Sequence, residues 1–156
     1  MSSCALLGVQ DLAGAYRNGS VTPTDAVTAC LDMIAKIDGH IFAWQEVYAD
    51  EAKVAALKAT EEMTRMMEAD KALKVAENGK PVVSELSTLS PMFGVPFALK
   101  DIIDVEGKIT TAGSATRREA IATTTATIAK RLMDAGAICI GKVKTVEFGR
   151  WTINLS

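Results

Sequence analysis

Along the first half of the chain apolar residues recur at helical spacing, and beyond it they gather into short runs bounded by glycine. Val9, Leu12 and Tyr16 share one helical face with Gly19 as a stop, which predicts a short opening helix. Thr22 before Pro23, with Asp25 three residues on, has the form of a capping box with proline in the first turn. Val27, Cys30, Leu31, Ile34 and Ile37 then form an apolar stripe, predicting a second helix that ends at Gly39. The stretch "HIFAWQEVY" from His40 alternates in part and predicts a strand over 41–48. Residues 49–75 are rich in Ala, Glu, Lys and Met, all good helix formers. They predict a long helix with Val54, Leu57, Met63 and Met67 roughly on one face, the methionines filling gaps against the core, and the acidic residues on a solvated face.

Residues 77–91, "ENGKPVVSELSTLSP", concentrate turn formers and read as a connector between a mainly helical 1–76 and an α/β portion over 92–156. In that second portion "GVPFALKDIID" is an apolar run that ends in a lysine and an aspartate. A helix over 125–135 follows, with Ile128 and Leu132 on one face and Gly136 as its stop, and then the buried-strand run "AICI". Helix followed by buried strand argues for an α/β sheet, and no internal repeat is present.

Composition narrows the function classes. The 156 residues are 49% apolar and 23% charged, enough to bury a core. A net charge of −2 and a pI near 5.5 supply no basic footprint for nucleic acid or an anionic membrane. The first ten residues carry no Lys or Arg, and no run approaches the ~18 apolar residues of a membrane span, so the expected compartment is the cytoplasm. Cys4, Cys30 and Cys139 are odd in number, widely spaced and set among apolar neighbours, as free structural thiols would be. The sequons at Asn18 and Asn154 read as chance matches without a secretory signal.

The single histidine, His40, lies beside a helix stop and reads as a turn or core residue. A Ser-His-Asp or Cys-His enzyme and a histidine-based zinc site are therefore disfavoured, and neither cofactor nor metal is expected. Gly136, Gly141 and Lys142 satisfy a phosphate-loop spacing. The residues between those glycines are an apolar strand, and Val143 stands where a magnesium-binding hydroxyl belongs, so that motif is rejected. Lys100 admits two readings. Its stem covers the sheet with its head in water, or its ammonium, ordinarily near ~10.4, is brought toward neutrality by desolvation or positive neighbours and acts as a base. Asp101 would oppose the second by pairing with Lys100, although adjacent side chains on a strand point to opposite faces.

"GVPFALKDIIDVEGKITTAGS" followed by "ATIAKRLMDAGAICIGKVKTVEFG" resembles the N-terminal part of the amidase signature family of serine hydrolases, and the opening helical pair "VQDLAGAYRNGSVTPTDAVTACLDMIAKID" is similar to that family's start. The resemblance covers nearly the whole chain, least over 71–91, and implies an α/β fold in which N-terminal helices pack on part of the mixed sheet of a single amidase-type domain, incomplete at the C-terminus. It implies hydrolysis of a linear carboxamide through an acyl-enzyme by a Ser, cis-Ser, Lys triad, with Lys100 matching the triad lysine and Thr111 and Ser114 in supporting positions. In that scheme a neutral lysine takes, through the bridging serine, the proton released as the nucleophilic serine attacks, while backbone N–H groups hold the oxyanion.

The family's loop carrying both serines lies downstream of "EFG", so the chain is expected to be the first portion of a larger amidase and inactive alone. Phe148, Trp151, Ile153 and Leu155 are expected to need cover from the remainder of the domain or from a partner chain, and a homodimer is compatible with this. Two departures stand out: Thr125 where the family has a helix-capping aspartate, and Val143-Lys144 where a Thr-Asn pair is common. The alternatives are a glutamine-hydrolysing amidotransferase subunit of the same family, a truncated non-catalytic protein that binds a partner, and a plain α/β domain in which Lys100 is structural.

Overall fold

The computed structural model describes residues 3–76 and 84–150. The opening helix α1, Val9–Asn18, buries Leu12 and Tyr16 while Val9 faces solvent. It closes on Gly19 at φ 74°, whose N–H donates to the Tyr16 carbonyl at 3.1 Å while Ser20 N–H donates to that of Ala15 at 3.0 Å. Helix α2, Pro23–Ile41, starts from the capping box: Asp25 N–H donates to Thr22 Oγ1 at 3.1 Å and Thr22 N–H to Asp25 Oδ2 at 2.9 Å.

This helix does not end at Gly39. It runs on to Ile41, and Phe42 caps it in the left-handed region at φ 51°. The cause is Asp38, whose backbone carbonyl accepts Phe42 N–H at 2.8 Å and whose Oδ1 accepts Ala43 N–H at 2.7 Å and Trp44 N–H at 3.1 Å. Those bonds satisfy the donors that leave the helix, so the following strand β1, Trp44–Val47, starts later than the alternation implied. His40 accordingly sits exposed in the last helical turn, neither in a turn nor in the core.

Helix α3, Ala49–Ala76, has the expected length but a different inner face. Val54 and Leu57 are exposed, and the buried side is Ala52, Ala56 and Met63. Alanines at one-turn spacing let α3 approach α2 and the sheet closely, a narrower stripe than the larger apolar residues mark. The acidic residues are not all solvated either. Asp70 is buried, and its Oδ1 accepts Glu85 N–H at 2.6 Å while its Oδ2 accepts the Ser84 hydroxyl and, at 3.4 Å, Leu86 N–H. Asp70 thereby anchors the 3₁₀ turn Glu85–Thr88, which buries Leu86 in the core. Residues 77–83 of the connector, Asn154, Trp151, Ile153 and Leu155 lie outside the described residues.

Strand β2, Pro96–Lys100, is followed by helix α4, Thr127–Asp134, and strand β3, Ile138–Val143. The sheet order is β1-β3-β2: β3 runs antiparallel to β1 and parallel to β2, a mixed sheet reached from β2 through the α4 crossover. Pro96 takes the first position of β2, where a missing N–H does least harm. Helix α4 docks through Ala129 and leaves Ile128 exposed. Its N-cap is Ala126, and Thr125 does not cap: its Oγ1 instead accepts Glu106 N–H at 3.0 Å. Two clusters fill the interior, Leu12, Tyr16, Ala26, Met63, Leu86 and Val95 in one, and Val27, Ala52, Ala56, Ile138 and Ile140 in the other. Cys30, Leu31 and Ile34 pack on the second, and Ile37, the last of the expected stripe, is exposed. None of the three cysteines forms a disulfide among the described residues.

Candidate active site

The exit of β2 sets the site. Ala98 and Lys100 face outward while Leu99 and Asp101 are buried, the alternation of an extended strand. Lys100 Nζ makes no hydrogen bond or ion pair among the described residues, and a methyl group built on Gly149 would stand 4.0 Å from it. Asp101, 1% exposed, does not pair with Lys100. It pairs with Lys142, 0% exposed, whose Nζ lies 3.4 Å from Asp101 Oδ1. Lys142 Nζ also donates to the Ile109 carbonyl at 2.8 Å and to Thr110 Oγ1.

The other carboxylate oxygen of Asp101 accepts Thr111 N–H at 3.2 Å and the Thr111 hydroxyl. Thr111 Oγ1 in turn accepts Gly113 N–H at 3.0 Å, and the Thr111 carbonyl accepts Ser114 N–H at 3.0 Å. Backbone bonds complete the knot: Asp101 N–H to the Val143 carbonyl at 2.9 Å, Ala112 N–H to the Asp101 carbonyl at 2.9 Å, and Phe148 N–H to the Ala112 carbonyl at 2.7 Å. Ser114 is buried and donates from Oγ to Glu147 Oε1 at 2.7 Å. Gly113 adopts φ 70° with its Cα against the Thr145 carbonyl, where no side chain fits.

Thr111 and Ser114 are thus held together, and they line a groove of ≈ 380 Å³ with Gln45, Gly113, Lys144 and Thr145. Lys100 does not line it and joins the cluster only through the backbone of Asp101. Gly141 and Lys142 belong to a regular strand rather than a phosphate loop. Val143 pairs with both neighbouring strands, and Lys144 projects to within 5.7 Å of the Phe42 ring centre. Phe148 is 53% exposed. Two residues of the cluster escape sequence reasoning: Lys142, whose spacing suggests only a phosphate ligand, and Glu147. The available signal for Lys142 is a lone charge inside the six-residue buried run Ile138–Val143.

The Amidase family profile matches residues 52–153, and the chain belongs to that family. A relative from Thermobifida fusca, a subunit of glutamyl-tRNA(Gln) amidotransferase, is 31% identical over 148 residues, covering 95% of this chain and 26% of that protein. The corresponding protein of Lachnospira eligens is 32% identical over 138 residues, covering 88% and 24%. Among solved structures, native peptide amidase from Stenotrophomonas maltophilia superposes with a TM-score of 0.70 at 26% identity, covering 92% of this chain and 26% of that one. The chain therefore spans about a quarter of the length of the relatives it matches. Among the described residues no helix is long and apolar enough to cross a membrane.

Proposed function

We propose that the protein is a cytoplasmic amidohydrolase that cleaves a linear carboxamide through a serine acyl-enzyme, with Lys100 as the triad base and both serines supplied from outside these 156 residues. The observation that carries this reading is the division of labour at the β2 exit: the carboxylate next to Lys100 is engaged by Lys142 and Thr111, and the Lys100 ammonium is left without an acceptor among the described residues. A base must be able to release its proton at working pH, and a carboxylate on the ammonium would hold it there. Thr111 and Ser114 take supporting roles, fixing the loop that borders the groove.

The test is hydrolysis of a panel of small carboxamides by the full-length protein and its Lys100→Ala variant. Activity is expected to fall by roughly 10³-fold or more while the circular dichroism spectrum is retained. A folded Lys100→Ala protein with undiminished hydrolysis would sink the reading. The 156-residue chain by itself is expected to be inactive.

A second reading is favoured by the amidotransferase proteins among the relatives. In it the same chemistry releases ammonia from glutamine for a partner enzyme. Glutaminase activity that appears only when the partner is added separates this case from a free-standing amidase.

A further inference from the structure

The Asp101–Lys142 pair is buried more deeply than anything else charged in the described chain, and the reading above uses it only to show that Asp101 is occupied, without assigning Lys142 a role of its own. A buried ion pair is a weak source of stability, because desolvating two charges offsets most of their attraction. Its location is more informative. Asp101 is the residue after Lys100, with Cα atoms ~3.8 Å apart, and Lys142 is opposite Leu99 in the parallel ladder, one position before the Lys100–Val143 pairing. A lone carboxylate at Asp101 would hold a proton on Lys100. A lone ammonium at Lys142 would drive it off.

We propose that Asp101 and Lys142 form a positioning pair for Lys100: the Lys142 ammonium offsets the charge of the Asp101 carboxylate directly behind Lys100, and Asp101 ties the 109–114 loop to the strand exit. This rests on the reading of Lys100 as the base. The geometry accounts for both halves. Lys142 Nζ donates to the Ile109 carbonyl and Thr110 Oγ1, and those two bonds hold its ammonium 3.4 Å from Asp101 Oδ1, an oxygen with no hydrogen-bond partner of its own among the described residues, so the pair is joined by charge from the loop side. Asp101 Oδ2 takes both donors of Thr111, and its backbone carbonyl takes Ala112 N–H, whose own carbonyl receives Phe148 N–H. That last bond fixes the turn in which Gly149 comes up to the Lys100 ammonium. The pair therefore sets the charge behind Lys100 and the backbone in front of it.

Other ionisable groups face the same region. Tyr48 and Glu46 come from the β1 side, Glu46 standing opposite Lys142 in the antiparallel ladder. Lys108 lies 4.3 Å over the Tyr48 ring and is paired with Glu51 of α3. Cys139 is on β3, kept neutral by burial, and Glu147 is held on Ser114. All of these are common to wild type and to variants at positions 101 and 142, so their influence cancels in a comparison.

The experiment is competitive acetylation of Lys100 with acetic anhydride across pH, carried out on the folded protein and read by mass spectrometry of the Lys100-containing peptide after digestion, in wild type, Lys142→Met, Asp101→Asn and the double variant. The labelling profile of Lys142→Met is expected to move to higher pH and that of Asp101→Asn to lower pH, each on the order of 0.5 pH unit or more. The double variant is expected to return to the wild-type profile. Unchanged profiles in folded single variants overturn the proposal. Where one single variant fails to fold, the other carries the test: an unmoved profile overturns the proposal, and a shift in the stated direction that is absent from the double variant supports it. Parallel pH–rate profiles of the full-length enzyme are expected to shift in the same directions on their acid limb. Hydrolysis surviving in Lys100→Ala removes the underlying reading and leaves the labelling result intact. An inactive Lys100→Ala with no opposed labelling shifts removes only the positioning role.

Discussion

The Tyr16 hydroxyl donates to the Gly94 carbonyl at 2.9 Å across 78 residues of sequence, fastening α1 to the turn that launches β2. Both groups are buried, and Gly94, at φ 69°, has Pro23 and the Tyr16 ring where a side chain would be. Tyr16→Phe keeps the ring and leaves the carbonyl without that donor. It is expected to lower stability by about 1–2 kcal/mol, measured as a shifted urea midpoint with an unchanged m value.

Gly141 carries the kink where β3 meets both neighbours. At φ 147° its missing side chain would strike the Glu46 carbonyl, and the parallel register slips beside it, between Phe97 and Ala98. Gly141→Ala is expected to cost about 2 kcal/mol or more and to loosen β1 in particular. Amide exchange should show lost protection at Tyr48, whose N–H donates to the Ile140 carbonyl at 3.0 Å.

Asp70, near the end of α3, caps the Glu85–Thr88 turn on the far side of the connector. Asp70→Ala removes acceptors for two backbone donors and is expected to cost on the order of 1 kcal/mol. Exchange of the Glu85 and Leu86 amides should accelerate while α2 keeps its protection. Equal acceleration everywhere would mean that the anchor serves the whole fold and not this turn.

Burial pushes the thiols of Cys30 and Cys139 above their ordinary value of 9.0, and pushes the Tyr16 and Tyr48 phenols above 10.0. These groups ionise more readily in the unfolded chain, so the stability they contribute is intact below about pH 8.5 and falls as pH rises through the thiol and then the phenol range. Stability is accordingly expected to be flat near neutrality and to decline above about pH 9. Iodoacetamide should label Cys30 and Cys139 slowly near pH 8 in the folded protein and quickly in urea. A melting temperature that rises between about pH 8 and 10 would contradict this assignment.

Local chemistry is legible in the sequence where the partners lie within a few residues. The Thr22–Asp25 box and the Gly19 stop work as their spacing implies because each involves a single turn of chain. Gly39 fails to end α2 because glycine marks a stop only when nothing nearby does it better, and the Asp38 side chain does. The inner face of α3 departs from the pattern because close packing there selects alanine over the larger apolar residues that mark a stripe by eye. The lysine at the strand exit is visible as an anomaly in its run. That Asp101 is engaged elsewhere is not, because its partner Lys142 is distant in sequence and is brought in only by the α4 crossover.

The order β1-β3-β2 also fixes a schedule. Both of the other strands hydrogen-bond, among the described residues, only to β3, the last of these three strands to be made. A growing chain carries β1 and β2 unpaired until Ile138–Val143 has been synthesised, so neither lysine of the site has its surroundings until the strand bearing Lys142 arrives. Nascent chains halted before Ile138 are expected to be cut readily by protease within 92–137, and chains extended past Val143 to resist. The arrival of β3 is in this sense a checkpoint, and the charge balance behind Lys100 is set in the same step that joins these three strands.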